Sequence, residues 1–151
     1  MSTQTPQSPA QPIGVFDSGL GGLTVVRELR RVLPGPGAGG RSIPARFIEV
    51  RNYIGAHYRD RIRLASLAAR CGLSAPYFGA QFRKYFEVSP IELIVRLRLD
   101  EAVHHLADVN LNISEIARRV GYDDIYYFSK LFKKRYGLSP RQFRKRRAGR
   151  A

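Results

Sequence analysis

The segment NISEIARRVGYDDIYYFSKLFKKRYGLSPRQFR, residues 112–144, decides the fold. Asn112 can cap a helix while Glu115, three residues on, reaches back to the cap, and Gly121 ends the short helix so opened. Asp123 is the expected cap of the next helix, whose apolar stripe is Phe128, Phe132 and Tyr136 at four-residue spacing. Ser139-Pro140-Arg141-Gln142 then places a cap, a proline at the first helical position and a Gln three residues after the cap, which starts a further short helix.

The same signals occur earlier in the chain. Leu67-Ala68 with Gly72 matches Ile116-Ala117 with Gly121 at an offset of 49, and Phe78, Phe82 and Ser89-Pro90 match Phe128, Phe132 and Ser139-Pro140 at an offset of 50. Each copy is a short helix, a Gly-containing turn and a second helix, the helix-turn-helix arrangement. Ser74 is the expected cap of the first copy's second helix. Upstream, Phe47, Val50, Ile54 and Tyr58 share one helical face, so a helix is expected from about Pro44 to His57, and another runs from Leu64 to Cys71. Between the copies, Ser89-Pro90-Ile91-Glu92 opens a long helix to about Ala107, expected to bury Val95, Leu99, Ala102 and Leu106. The expected fold is all-α, with seven helices. A first helix-turn-helix spans about 62–88, a linker helix about 90–107 and a second helix-turn-helix about 112–137.

Composition limits what such a fold can meet. The 151 residues carry 26 Lys and Arg against 12 Asp and Glu, a formal charge of +14. Residues 43–151 hold 22 of the positive and 10 of the negative side chains, and Lys130 to Arg150 contains ten Lys or Arg and no acid. Such a balance suits a polyanion partner. No apolar run approaches the roughly 18–20 residues of a membrane span. The opening MSTQTPQSPAQP does not read as a secretory signal. Cys71, the one cysteine, excludes an internal disulfide and a cysteine-rich zinc site. His57, His104 and His105 form no ligand set with it, so neither metal nor cofactor is expected. Cys71 precedes a turn glycine, where a small buried side chain suits the packing.

Residues 43–147 closely resemble the DNA-binding domain of the AraC/XylS family of bacterial transcription regulators. The segments that carry the likeness are LASLAARCGLSAPYFGAQFRKYF (64–86), SPIELIVRLRLDEAVHHLAD (89–108) and the opening segment, with its I-x-E-I-A, G-Y, Y-F-S-K-x-F-K-K and G-x-S-P-x-x-F-R runs. The resemblance implies a sequence-specific regulator that binds double-stranded DNA, with RNA polymerase a further partner. It also implies a bacterial cytoplasmic location, at the nucleoid when bound, and no enzymatic activity or membrane association.

The second helix of each unit is expected to enter the major groove. In the second unit the resemblance makes Ile125, Tyr126, Ser129 and Lys130 base-facing. Lys130 can donate to guanine O6 and N7, Ser129 can serve either base type, and Ile125 can meet a thymine methyl. Lys133, Lys134 and Arg135 are expected at phosphates. In the first unit the positions taken as corresponding are Pro76, Tyr77, Gly79 and Ala80, with Gln81 next in line and Arg83 and Lys84 on phosphates. Gly79 and Ala80 offer no side-chain hydrogen bond, so the second unit is expected to read most of the sequence while the first anchors. Tyr126 and Tyr127 have a packing role as their alternative. Arg118 and Arg119 read as a solvated face, with phosphate contact as the alternative, and the Arg144-Lys145-Arg146-Arg147 run as a frayed basic end.

The first 42 residues differ in kind. They hold eight of the fourteen glycines and a net charge of only +2, from four basic and two acidic residues. Pro34-Gly35-Pro36-Gly37-Ala38-Gly39-Gly40 reads as a linker, which bounds an arm at residues 1–42 and a domain at 43–151. Within the arm, IGVFDSGLGGLTVVRELRRVL (13–33) resembles the first strand and helix of glutamate and aspartate racemases, a family in which Asp17 and Ser18 would stand at the substrate site. The two cysteines that exchange the substrate's proton in that family have no counterpart here. The arm therefore reads as an appendage or the scar of a fusion, with a racemase fragment and a charge-driven polyanion binder as rival functions. Without the usual effector domain, a monomer with no small-molecule sensor is expected.

Overall fold

The structure, a computed structural model, describes residues 42–150. The racemase-like segment, with Asp17 and Ser18, and the glycine-rich linker lie outside the described residues. Those residues form seven helices and no strand: α1 (Ala45–His57), α2 (Leu64–Arg70), α3 (Ala75–Phe86), α4 (Pro90–His105), α5 (Ile113–Arg119), α6 (Ile125–Tyr136) and α7 (Pro140–Ala148).

Their ends follow from local chemistry. Capping boxes are complete at Ser89–Glu92, Asn112–Glu115 and Ser139–Gln142, each with the cap side chain accepting from the third backbone N–H and the third side chain accepting in return. Ser74 stands at the start of α3, yet its side chain makes no capping bond. The cap of α6 is one residue later than expected. Asp124 accepts from the N–H groups of Tyr126 at 2.8 Å and Tyr127 at 3.1 Å. Asp123 points elsewhere, to Arg61 at 2.8 Å. The left-handed residue that ends α6 is Gly137, at φ +76, whereas α3 ends on Glu87 at φ +58.

Two cores form, one per unit, and α4 belongs to both. The first gathers Phe47, Val50 and Ile54 of α1 with Tyr58 just after it, Leu67 and Ala68 of α2, and Phe78, Phe82 and Phe86 of α3. The second gathers Ile116, Ala117 and Val120 with Tyr122, Phe128 and Phe132. From α4, Leu93, Ile94 and Leu97 enter the first core, while Leu99 and Ala102, with Leu106 just past its end, enter the second. The expected single stripe on α4 is thus incomplete, and Val95 is only half-buried at the edge of the second core. A helix that serves two cores needs two apolar faces, and its N-terminal half turns to the first unit. Full burial of each Phe contributes about 1.5–3 kcal/mol, so the three of α3 are the largest single apolar holding of the first unit.

Polar staples join α4 to its neighbours. Burial alone would raise the Glu101 carboxyl, but hydrogen bonds from His105, Arg59 and Tyr58 and the charge of Arg59 outweigh it, holding its pKa below the ordinary 4.5. A carboxyl depressed on folding contributes stability above its unfolded pKa and loses it as pH falls through the folded value. Stability is therefore expected to decline as pH drops below 4.5. Urea melts should show the wild type losing more between about pH 5 and pH 3 than Glu101→Gln does.

Candidate nucleic-acid interface

Helices α3 and α6 are each twelve residues long and lie at an offset of 50. Their buried stripes, Phe78, Phe82 and Phe86 against Phe128 and Phe132, turn the opposite faces outward. On α6 that outward face carries Tyr126, 85% exposed, with Lys130, Lys133 and Lys134, spaced at four, seven and eight residues from it. Ile125 and Ser129 are half-buried beside it. The ion pairs among the described residues leave all three lysines out. The helix thus presents a cationic strip fixed at both ends, by the Asp124 cap and by Gly137.

The same register sets the first unit's face. Pro76, Tyr77, Ala80, Arg83 and Lys84 are exposed, and Gly79 is half-buried. The counterparts of Ile125 and Tyr126 are Ala75 and Pro76, so the expected pairing of Pro76 and Tyr77 with them is one residue out at that end. Tyr77 instead matches Tyr127, and the two are similarly exposed, at 54% and 53%. Gln81 is half-buried at the position where the second unit has Leu131, which packs against the core. The first unit's face carries two cations and no polar group at the sites matching Ser129 and Lys130.

Several basic residues have structural partners that the sequence did not reveal. Arg135, expected at phosphate, donates to Asp100 of α4 at 2.8 Å, and the Tyr136 hydroxyl donates to the same oxygen at 2.5 Å. Burial and the Asp100 charge push the Tyr136 phenol above its ordinary pKa, keeping it a donor. The Arg144–Arg147 run is helical rather than frayed. Arg144 and Arg147 donate to the carbonyls of Leu106 and Val103, each at 3.3 Å, which the end of α4 leaves without helical partners. Arg118 and Arg119 are exposed. Tyr127 leans edge-on against Tyr122 with ring centres 6.1 Å apart, a packing contact, whereas Tyr126 stands clear on the surface.

Cys71 and two of the three histidines are locally occupied, while His104 is exposed. His57 meets Asp60 at 3.0 Å and stacks on Tyr53, and His105 faces Glu101 at 3.5 Å. Cys71 is buried, burial raises its thiol pKa, and its Sγ donates to the Arg46 carbonyl at 3.6 Å. Among the described residues no three His, Cys, Asp or Glu side chains gather as a metal site would require, and no helix is long and apolar enough to cross a membrane.

Known proteins share this arrangement. A family model described as a helix-turn-helix domain matches residues 67–146. The MmsAB operon regulatory protein of Pseudomonas aeruginosa is 36% identical over 94 residues, 62% of this chain and 31% of the relative. The chain thus spans about a third of that relative's length. The C-terminal domain of AraT, a response regulator from Geobacillus stearothermophilus, is similar at TM-score 0.63 and 36% identity, over 70% of this chain and 88% of that one. The DNA-binding domain of AdpA, solved in complex with a target DNA, shares the fold at TM-score 0.64 and 24% identity, over 69% of this chain and 94% of that one. With the family model covering more than half of its length, the chain belongs to the helix-turn-helix domain family, in the AraC-type form that pairs two such units.

Proposed function

We propose that this protein is a sequence-specific double-stranded DNA-binding transcription regulator that sets α3 and α6 in successive major grooves. The observation that carries the proposal is the outward face of α6, where Tyr126, Lys130, Lys133 and Lys134 project together from a helix capped at both ends. Lys130 reads bases, with Ile125 and Ser129 beside it, and Lys133 and Lys134 hold phosphates. On α3, Arg83 and Lys84 hold phosphates while Pro76, Tyr77, Gly79 and Ala80 line the groove with few donors and half-buried Gln81 stands at its edge, so the first unit anchors and the second reads. The AdpA domain, which has the same fold, was solved with its target DNA. The protein acts as a monomer in the bacterial cytoplasm, at the nucleoid when bound, and RNA polymerase is the further partner that regulation requires.

Fluorescence anisotropy on a pool-selected duplex and a scrambled one, at two salt concentrations, tests this. The selected duplex should bind at least about 100-fold tighter, and Lys130→Ala should erode that gap. Lys133→Ala should weaken both duplexes alike and reduce the salt slope by about 0.9. Equal binding of both duplexes at every salt concentration would leave a charge-driven polyanion binder. A stable dimer in sedimentation at micromolar concentration would overturn the monomer.

A further inference from the structure

Arg98 of α4 stands where the two units meet. Its guanidinium donates through Nε to the Tyr58 carbonyl at 2.5 Å, through Nη2 to the Asp60 carbonyl at 2.7 Å, and through Nη1 to the Gly121 carbonyl at 2.9 Å. Tyr58 and Asp60 belong to the loop after α1, in the first unit, and Gly121 to the turn before α6, in the second. The same guanidinium lies over the Tyr122 ring, 5.1 Å from its centre. One planar fork therefore holds both units, which only an arginine can do through three fixed donor directions.

The surroundings tighten this joint. Arg59 pairs with Glu101 of α4, and Arg61 pairs with Asp123 at 2.8 Å, so the loop 58–61 is tied to α4 and to the second unit's turn. The Arg59 carbonyl lies so near Gly121 that a Cβ there would fall 2.5 Å from it. Gly72, the first unit's matching glycine, has nothing within 4 Å of such a Cβ. The repeat is therefore asymmetric. Only the second unit's turn is clasped by the other unit.

We propose that Arg98 is a positioning residue that fixes the separation and angle of α3 and α6, so that the protein accepts one spacing between its two half-sites. The inference rests on the DNA reading above. A base pair inserted between half-sites moves one by about 3.4 Å along the axis and rotates it by about 35°. A joint held by three hydrogen bonds in one plane cannot follow such a change without breaking them.

The test is anisotropy with the full chain on pool-selected duplexes whose half-site spacing is native, one base pair longer or one shorter. Wild type should lose about tenfold at either altered spacing, the scale of a mismatched base pair. Arg98→Met, which keeps the stem and removes the donors, should bind all three within about threefold of one another. Retention of the tenfold penalty by Arg98→Met would overturn the proposal, as would a wild type indifferent to spacing. Nitrogen-15 relaxation of the free wild type is a second test that needs neither a variant nor DNA. Amides of α1–α3 and α5–α7 should share one rotational diffusion tensor, and two distinct tensors would overturn the brace. Failure of the wild type to prefer any selected duplex, with one shared tensor, would sink the DNA reading and leave the brace standing.

Discussion

Replacing Phe128 by alanine is expected to lower the unfolding free energy by about 3–5 kcal/mol, read as a fall in the urea midpoint. The ring is fully buried, 5.6 Å from Tyr122 and 5.9 Å from Phe132 between ring centres, and lies at the base of the helix that carries the proposed reading face. Removing it takes away transfer free energy and leaves a cavity, because neighbours in a packed core relax only in part. A domain of this size has about 5–15 kcal/mol of net stability, so the loss is a large fraction of the whole. The second unit should suffer first. Amide exchange in α5 and α6 should quicken more than in α1–α3, whose core Phe128 does not enter. Uniform quickening across both cores would mean that α4 couples them into one cooperative block.

The substitution Gly121→Ala is expected to cost about twice as much as Gly72→Ala. Both glycines adopt left-handed backbone, at φ +96 and +66, so each alanine carries a strain of about 1–2 kcal/mol. At Gly72 that is the whole cost, because an added Cβ meets nothing. At Gly121 the Cβ would sit 2.5 Å from the Arg59 carbonyl and 3.0 Å from the Arg98 guanidinium carbon. The carbonyl is backbone and cannot swing aside, so the loop 58–61 must retreat, at a further cost of about 1–3 kcal/mol. Thermal melts of the two variants side by side measure the difference. Equal losses would show that the clasp between the units yields without strain.

The division between what the sequence discloses and what only the fold shows runs along contact range. Capping boxes, phenylalanine stripes and the repeat are local patterns, and the helices stand where Asn112, Ser139 and the spacing of Phe78, Phe82 and Phe128, Phe132 place them. Asp123 and Asp124 are adjacent candidates for one cap, and only the turn's path selects Asp124 for it and sends Asp123 to Arg61. Arg98, Arg135, Arg144 and Arg147 reach partners 23 to 44 residues away. Such pairs leave no periodicity, so in sequence they are indistinguishable from DNA-facing cations. The outward strip of α6 was legible because it is the complement of a stripe. The exposure of Pro76, Tyr77, Ala80, Arg83 and Lys84 on α3 follows from the same complement, except that the copies align with Tyr77 opposite Tyr127 and not opposite Tyr126.

Two repeats with one fold but different outward faces should leave an unequal imprint on the DNA they bind. Selection from a random duplex pool, sequenced after several rounds, measures that imprint directly. The account predicts two half-sites about one helical turn, ~10 base pairs, apart, one sharply defined and one weak. Lys130→Ala should blur the sharp one and leave the weak one as it was. A pool that enriches no sequence, or one whose sharp half-site is untouched by Lys130→Ala, would contradict the claim that α6 is the reading helix.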